Sequence, residues 1–246
     1  MMAFYKVTYN KHHNFATVHN YGCTFRCPTC SYKLRSGPTG RPGLAYPEPD
    51  GYLKTADIKE ALRQLPIKNL YFMGGEPTVA KDLPEMLRFA KEQLGVGTRL
   101  GHTNGSSLPL PYLDGANVGL KAWDNDLHRA LTGREREPIF QNVAAAYGAG
   151  MDIKVNVVFI PGLVDLDQVE AIAAWLATID RDIPFHIMGY IPVPGQPYPQ
   201  PSQQQMASSE EISRRHLNLV ASSRLDSSQA LNLSDRDNRF AVTRIL

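Results

Sequence analysis

Residues 16–30 read Ala-Thr-Val-His-Asn-Tyr-Gly-Cys-Thr-Phe-Arg-Cys-Pro-Thr-Cys: a strand-like run over 16–21, then a loop that carries every cysteine of the chain. Cys23, Cys27 and Cys30 are spaced C-x3-C-x2-C. An odd, clustered set of cysteines is a poor disulfide framework, so three thiolates on one loop point to a metal. At this spacing they can wrap one face of a cubane iron–sulfur cluster, ligating three irons and leaving the fourth open to a chelating ligand. The competing reading is structural zinc. That site wants four ligands, and the fourth would have to come from His12, His13 or His19 upstream.

Outward from this loop the chain alternates strand and helix. Strand-like runs occupy 16–21, 67–73, 97–103, 115–121, 152–160 and 183–190, and helical stretches lie at 55–65, 80–94, 137–149 and 165–179. Thr55 and Asp165 are expected N-caps, and Gly95 and Gly150 expected residues just past a helix end. This order implies parallel strands joined by crossovers, and it fits a partial (β/α)6 barrel or an open doubly wound sheet. Two segments break the periodicity: a Gly/Pro-rich loop over 34–51 after the cysteines and a Pro-rich loop over 192–201 after the sixth strand. In parallel βα folds the loops after strands form the functional face, so either loop is placed to cover a site; a solvated surface loop is the plainer reading. Beyond them, 204–222 reads as helix, 223–238 as a polar tail and 238–246 as a short basic strand-like end. Residues 1–246 are expected to form one domain with a C-terminal extension over 204–246.

Composition narrows the function. With 26 Lys+Arg against 24 Asp+Glu, the net charge of +2 argues against a nucleic-acid coat or a protein drawn to anionic lipid. The first residues, MMAFYKVTYNKHHN, are too polar for a secretory signal, and the best apolar run, Val155 to Val164, falls well short of the ~20 residues of a membrane span. A cytoplasmic protein with no membrane or nucleic-acid partner is expected.

Further motifs follow the cysteines in order. They are Gly74-Gly75-Glu76-Pro77 after the second strand, His102-Thr103-Asn104-Gly105 after the third and Leu120-Lys121 in the fourth. His128-Arg-Ala-Leu-Thr-Gly133 and a fifth strand ending Phe159-Ile-Pro-Gly162 complete the set. Together with C-x3-C-x2-C they resemble the radical S-adenosylmethionine (SAM) superfamily, and within it the pyruvate formate-lyase activating enzyme group.

The resemblance implies a partial barrel of parallel strands. Cys23, Cys27 and Cys30 would hold a [4Fe–4S] cluster whose open iron chelates the amino and carboxylate groups of SAM. Reductive cleavage of SAM would then yield a 5′-deoxyadenosyl radical that abstracts hydrogen. Gly74 and Gly75 would let backbone carbonyls approach the SAM ammonium, with Glu76 as a further acceptor. Lys121, a lone charge in an apolar strand, would face the SAM carboxylate; snorkelling at the strand end is the plain alternative. Thr103, Asn104, Asn156 and His186 join the expected SAM pocket, His186 with Tyr190 on the same strand face. A hydrogen-bonded core histidine explains His186 equally well, and helix packing or capping explains His128.

The chain also departs from the group. Thr29 stands where an aromatic residue precedes the third cysteine, leaving Phe25 or Tyr32 as stand-ins against the adenine. His102 and Gly119 replace two aspartates, so a carboxylate pair able to bind a monovalent cation is missing, and Asn156 replaces a basic residue. The lack of spare cysteines argues against branches with auxiliary clusters or methyl-cysteine chemistry. The expected substrate is a glycine of a partner protein, a glycyl radical enzyme, with a flavodoxin- or ferredoxin-like electron donor. Another protein side chain or a small molecule is the alternative, and a non-catalytic zinc or Fe–S module the alternative of another class.

Overall fold

In the computed structural model, which describes residues 4–40, 48–236 and 242–246, strand periodicity sorts one large sheet into two faces. The clearest case is β6 (Asp152–Phe159), where Ile153, Val155, Val157 and Phe159 are buried towards the helices while Lys154 is exposed on the opposite face. The other strands are β1 (Phe4–Asn10), β2 (Phe15–Asn20), β3 (Asn69–Gly74), β4 (Gly97–Thr103), β5 (Gly115–Leu120), β7 (Phe185–Gly189), β8 (Val220–Ser223) and β9 (Val242–Arg244). Their order is β8-β7-β6-β5-β4-β3-β2-β1-β9, and the sheet does not close. Neighbours from β2 to β8 pair parallel, whereas β1 pairs antiparallel with both β2 and β9. This is the expected α/β partial barrel, extended at both edges.

Helices α1 (Lys33–Ser36), α2 (Thr55–Arg63), α3 (Leu83–Phe89), α4 (Asn125–Thr132), α5 (Glu137–Gly148), α6 (Leu166–Ile179), α7 (Gln203–Arg214) and α8 (Ser227–Arg236) make up the rest. A π-helical turn, Ala90–Leu94, continues α3. Ile58 and Leu62 of α2, Val143 of α5 and Val169, Ile172 and Leu176 of α6 belong to the same buried cluster as the helix-facing strand residues.

Several sequence readings change. Strand β1 was not expected, although Phe4, Val7 and Tyr9 supply its buried positions. The helix read over 204–222 stops at Arg214, and Val220–Ser223 leaves it to extend β7 as a seventh parallel strand. The polar tail contains α8. Leu34–Ser36 belongs to α1 rather than to the long loop, of which 41–47 lie outside the described residues, as do 238–241 of the strand-like end. Asp165 caps α6 through Leu166 N at 2.9 Å, and Gly95 takes the left-handed turn expected of it. Thr55 is the first residue inside α2, with Lys54 at the cap position. No helix among the described residues is long and apolar enough to cross a membrane.

Candidate active site

The cysteine loop leaves the C-terminal end of β2 and is anchored on three sides. Below it, Glu76 N donates to Gly22 O at 2.8 Å. That closeness explains the Gly74–Gly75 pair: a Cβ on Gly74 would sit 2.0 Å from Asn20 O, and one on Gly75 2.2 Å from Gly22 O. Backbone packs on backbone there, so only glycine fits. On a second side Asn104 Nδ2 donates to Thr24 Oγ1 at 2.8 Å and lies 3.9 Å from Cys23 Sγ. On the third, Arg26 N donates to Thr132 O at 3.1 Å, and buried Phe25 meets the His128 ring edge-on at 5.8 Å. Phe25 is therefore core, and the His128-to-Gly133 segment is the back wall of the loop.

Glu76 joins these supports. Fully buried, its Oε1 accepts from Thr103 Oγ1 at 2.7 Å, Thr78 Oγ1 at 2.8 Å and Thr78 N at 3.2 Å, and its Oε2 accepts from Asn104 N at 2.6 Å. Burial pushes its carboxyl above the usual range, and these four hydrogen bonds pull against that. The carboxylate thus fastens the end of β3 to the end of β4. Asn20 was absent from the sequence-based site, yet its Nδ2 donates to Glu76 O at 2.8 Å and its buried Oδ1 has no partner. An amide residue at the last position of the strand, directly before the cysteine loop, was the available signal. Tyr32 donates to Gly74 O at 2.7 Å, so it serves the loop's packing with its hydroxyl end.

The three cysteines are reduced and lie partly covered. Burial raises all three thiols, Cys27 to about 12. The charge of Lys121 works the other way on each of them, which places this ammonium on the thiol side of the sheet's mouth. Among the described residues no three His, Cys, Asp or Glu side chains meet at the spacing of a single-ion site. The cysteines act on one another as charges: Cys30 and Cys23 both raise the Cys27 thiol. A donor set of three buried thiols under one fixed cation suits a thiolate-ligated cluster, because metal binding requires the anionic form.

The remaining expected residues line the concave face. Gly119, Asn156 and His186 stand side by side in register across β5, β6 and β7. Asn156 is buried and His186 half-buried, with burial lowering the His186 imidazole. The strand ends at Gly189; Tyr190 follows it with its N on Phe159 O at 3.0 Å, is buried, and accepts Val193 N on its hydroxyl at 3.2 Å, pinning the start of the Pro-rich loop. The far end of that loop is pinned by Arg224 Nε on Pro201 O at 2.7 Å. A Cβ on Gly195, between those ends, would lie 3.3 Å from Pro38 Cβ, so the loops after β7 and β2 meet across the mouth.

The radical SAM superfamily model matches residues 17–176. The chain belongs to that superfamily. Its cofactors are those of the family, a [4Fe–4S] cluster and SAM. A Methanocaldococcus jannaschii protein provisionally named glycyl-radical enzyme activating enzyme is 28% identical over 216 residues, covering 84% of this chain and 80% of the relative. A GTP 3′,8-cyclase of Stenotrophomonas maltophilia is 31% identical over 177 residues, covering 67% of this chain and 50% of the relative, so the chain spans about half the length of the cyclase. The structure of Streptococcus suis SuiB bound to SAM superposes with a TM-score of 0.62 at 19% identity, over 87% of this chain and 52% of that one. That likeness shows the fold.

Proposed function

We propose that this radical SAM enzyme activates a glycyl radical enzyme by abstracting hydrogen from a glycine of that partner. The observation that carries the reading is the coverage of the activase relative: the match takes in 84% of this chain and 80% of the relative, whereas a cyclase is matched over half its length. Cys23, Cys27 and Cys30 would ligate the cluster, and Gly74, Gly75, Glu76, Thr103, Asn104, Lys121, Asn156 and His186 would surround SAM. Once reduced by a flavodoxin- or ferredoxin-like donor, the cluster supplies the electron that cleaves SAM to a 5′-deoxyadenosyl radical. The chain's own part is to hold these groups in place and to exclude water. Glu76, with both oxygens engaged inside the fold, would also position the loop beside SAM. The cyclase relative supports a second reading, the same radical directed at a small molecule.

The test is anaerobic reconstitution with iron and sulfide, reduction, and incubation with SAM and a peptide bearing a radical-site glycine deuterated at Cα. Deuterium recovered in 5′-deoxyadenosine is the expected result. Deoxyadenosine that stays unlabelled with the peptide, but whose formation GTP stimulates, overturns the activase reading in favour of the small-molecule one. Stoichiometric zinc and no SAM cleavage would leave only a metal-binding module.

Lys121→Ala is expected to raise the SAM concentration needed for half-maximal cleavage by roughly tenfold, the worth of one hydrogen bond to a charged group. The maximal rate is expected to change less. Titrating SAM against deoxyadenosine formation checks this, and an unchanged SAM requirement removes Lys121 from the pocket.

A further inference from the structure

Gly119 has no side chain, and the space one would fill is ringed by polar atoms from three strand ends. A Cβ there would lie 2.9 Å from His102 Nε2, 2.9 Å from Lys121 Nζ and 3.2 Å from Asn156 Oδ1, with no carboxylate among these nearest atoms. Asn156 is only 2% exposed, and its Oδ1 has no hydrogen-bond partner, while its Nδ2 reaches Asn117 Oδ1 at 3.4 Å. An unmatched buried acceptor is costly unless something donates to it. The ammonium beside it carries three donors and no acceptor. His102 completes the match: burial and the Lys121 charge lower its imidazole to about 4, so at neutral pH the ring is uncharged and one of its nitrogens is an acceptor. One triple donor thus stands beside two acceptors without a hydrogen bond to either in this arrangement, and any side chain larger than hydrogen on Gly119 would stand between them.

We propose that Gly119, His102 and Asn156 form a cradle that holds the Lys121 ammonium and aims it at the thiol side of the mouth, making all three positioning residues. The inference rests on the SAM-pocket role proposed above for Lys121 and deepens it: with ligand bound, two of the ammonium's protons go to the cradle and the third to the ligand carboxylate. A fixed cation loses less freedom on binding an anion than a waving lysine does. The sequence, Gly-Leu-Lys running off the end of β5 with His102 near the end of β4, gains a single physical reason for three residues that otherwise look unrelated.

The test separates cradle from ligand role. The full chain is pulsed with acetic anhydride, and acetylation of Lys121 is read by mass spectrometry against exposed Lys154 on the same face. Native Lys121 is expected to label several-fold more slowly than Lys154. Gly119→Ala and Asn156→Leu are expected to speed Lys121 labelling, while Asn156→Asp, which keeps the shape and adds a charge, slows it further. That opposite pair of responses is not the mark of a loosened fold. Labelling of Lys121 unchanged in all three variants overturns the cradle. In the reconstituted protein, Gly119→Ala is expected to weaken SAM binding by roughly tenfold at equal iron content. Faster labelling with unaltered SAM affinity upholds the cradle and overturns the SAM role of Lys121 instead.

Discussion

Cys27→Ala is expected to give a chain that folds, retains no cluster and cleaves no SAM. Of the three thiols, Cys27 is the one pushed to about 12 by burial, and it feels both of the others and Lys121. Like the other two raised thiols, it becomes a thiolate only when a metal replaces its proton. The loop does not depend on this side chain for its shape. Its supports are Glu76 N on Gly22 O, Asn104 on Thr24 and Arg26 N on Thr132 O, none of which involves Cys27 Sγ. Deleting the sulfur should thus remove the function while leaving the helix content and melting behaviour of the metal-free chain close to wild type. Iron per chain after reconstitution, the paramagnetic resonance of the reduced protein with and without SAM, and deoxyadenosine formation give the three readouts. All are expected to fall to background. Retained cleavage at wild-type iron content would sink the ligand assignment, since two cysteines cannot hold three irons of a cubane.

Much of this arrangement could be read before any coordinates, because its signals are local. Three cysteines on one loop, a double glycine at a strand end and a lysine in an apolar strand each announce themselves within a few residues. The parallel sheet was legible for the same reason: strands such as 152–160 and helices such as 165–179 carry their own periodicity. What escaped depends on partners distant in sequence. Val220–Ser223 becomes a strand only because β7 offers it an open edge, and a four-residue strand is shorter than any reliable pattern. The role of Asn20 requires Glu76, 56 positions away. The Gly-Gly pair was read as letting backbone carbonyls approach a ligand; that it also packs against the backbone of Asn20 and Gly22 could not be read from the sequence. The bond from Val193 N to the Tyr190 hydroxyl, which pins the start of the Pro-rich loop, depends on a turn that no periodicity announces. Short-range chemistry was visible, and long-range bonding that holds the chemistry in place was not.

Glu76→Leu is the second large expected effect, and it acts on the fold rather than on the cluster. The substitution keeps much of the side-chain volume but strands four donors at the junction of β3 and β4. The Thr78 and Thr103 hydroxyls can turn to other acceptors; Thr78 N and Asn104 N cannot. Two unmatched N–H groups, one buried and one partly buried, at about 1–3 kcal/mol each predict a loss of roughly 2–6 kcal/mol, measurable by denaturant unfolding of the metal-free chain. The same contacts hold Asn104 against Thr24, so cluster incorporation should fall as well. The pH dependence distinguishes this account from simple loss of packing. Because burial raises the folded carboxyl, the folded chain keeps its proton above the unfolded value near ~4.3, and wild-type stability declines as pH climbs from there through the raised folded value, then levels off. Glu76→Gln cannot lose that proton, so the gap between wild type and this variant should narrow over the same interval. Curves that stay parallel would mean that the four hydrogen bonds fully offset the burial of the carboxylate, and the raised folded value would have to be abandoned.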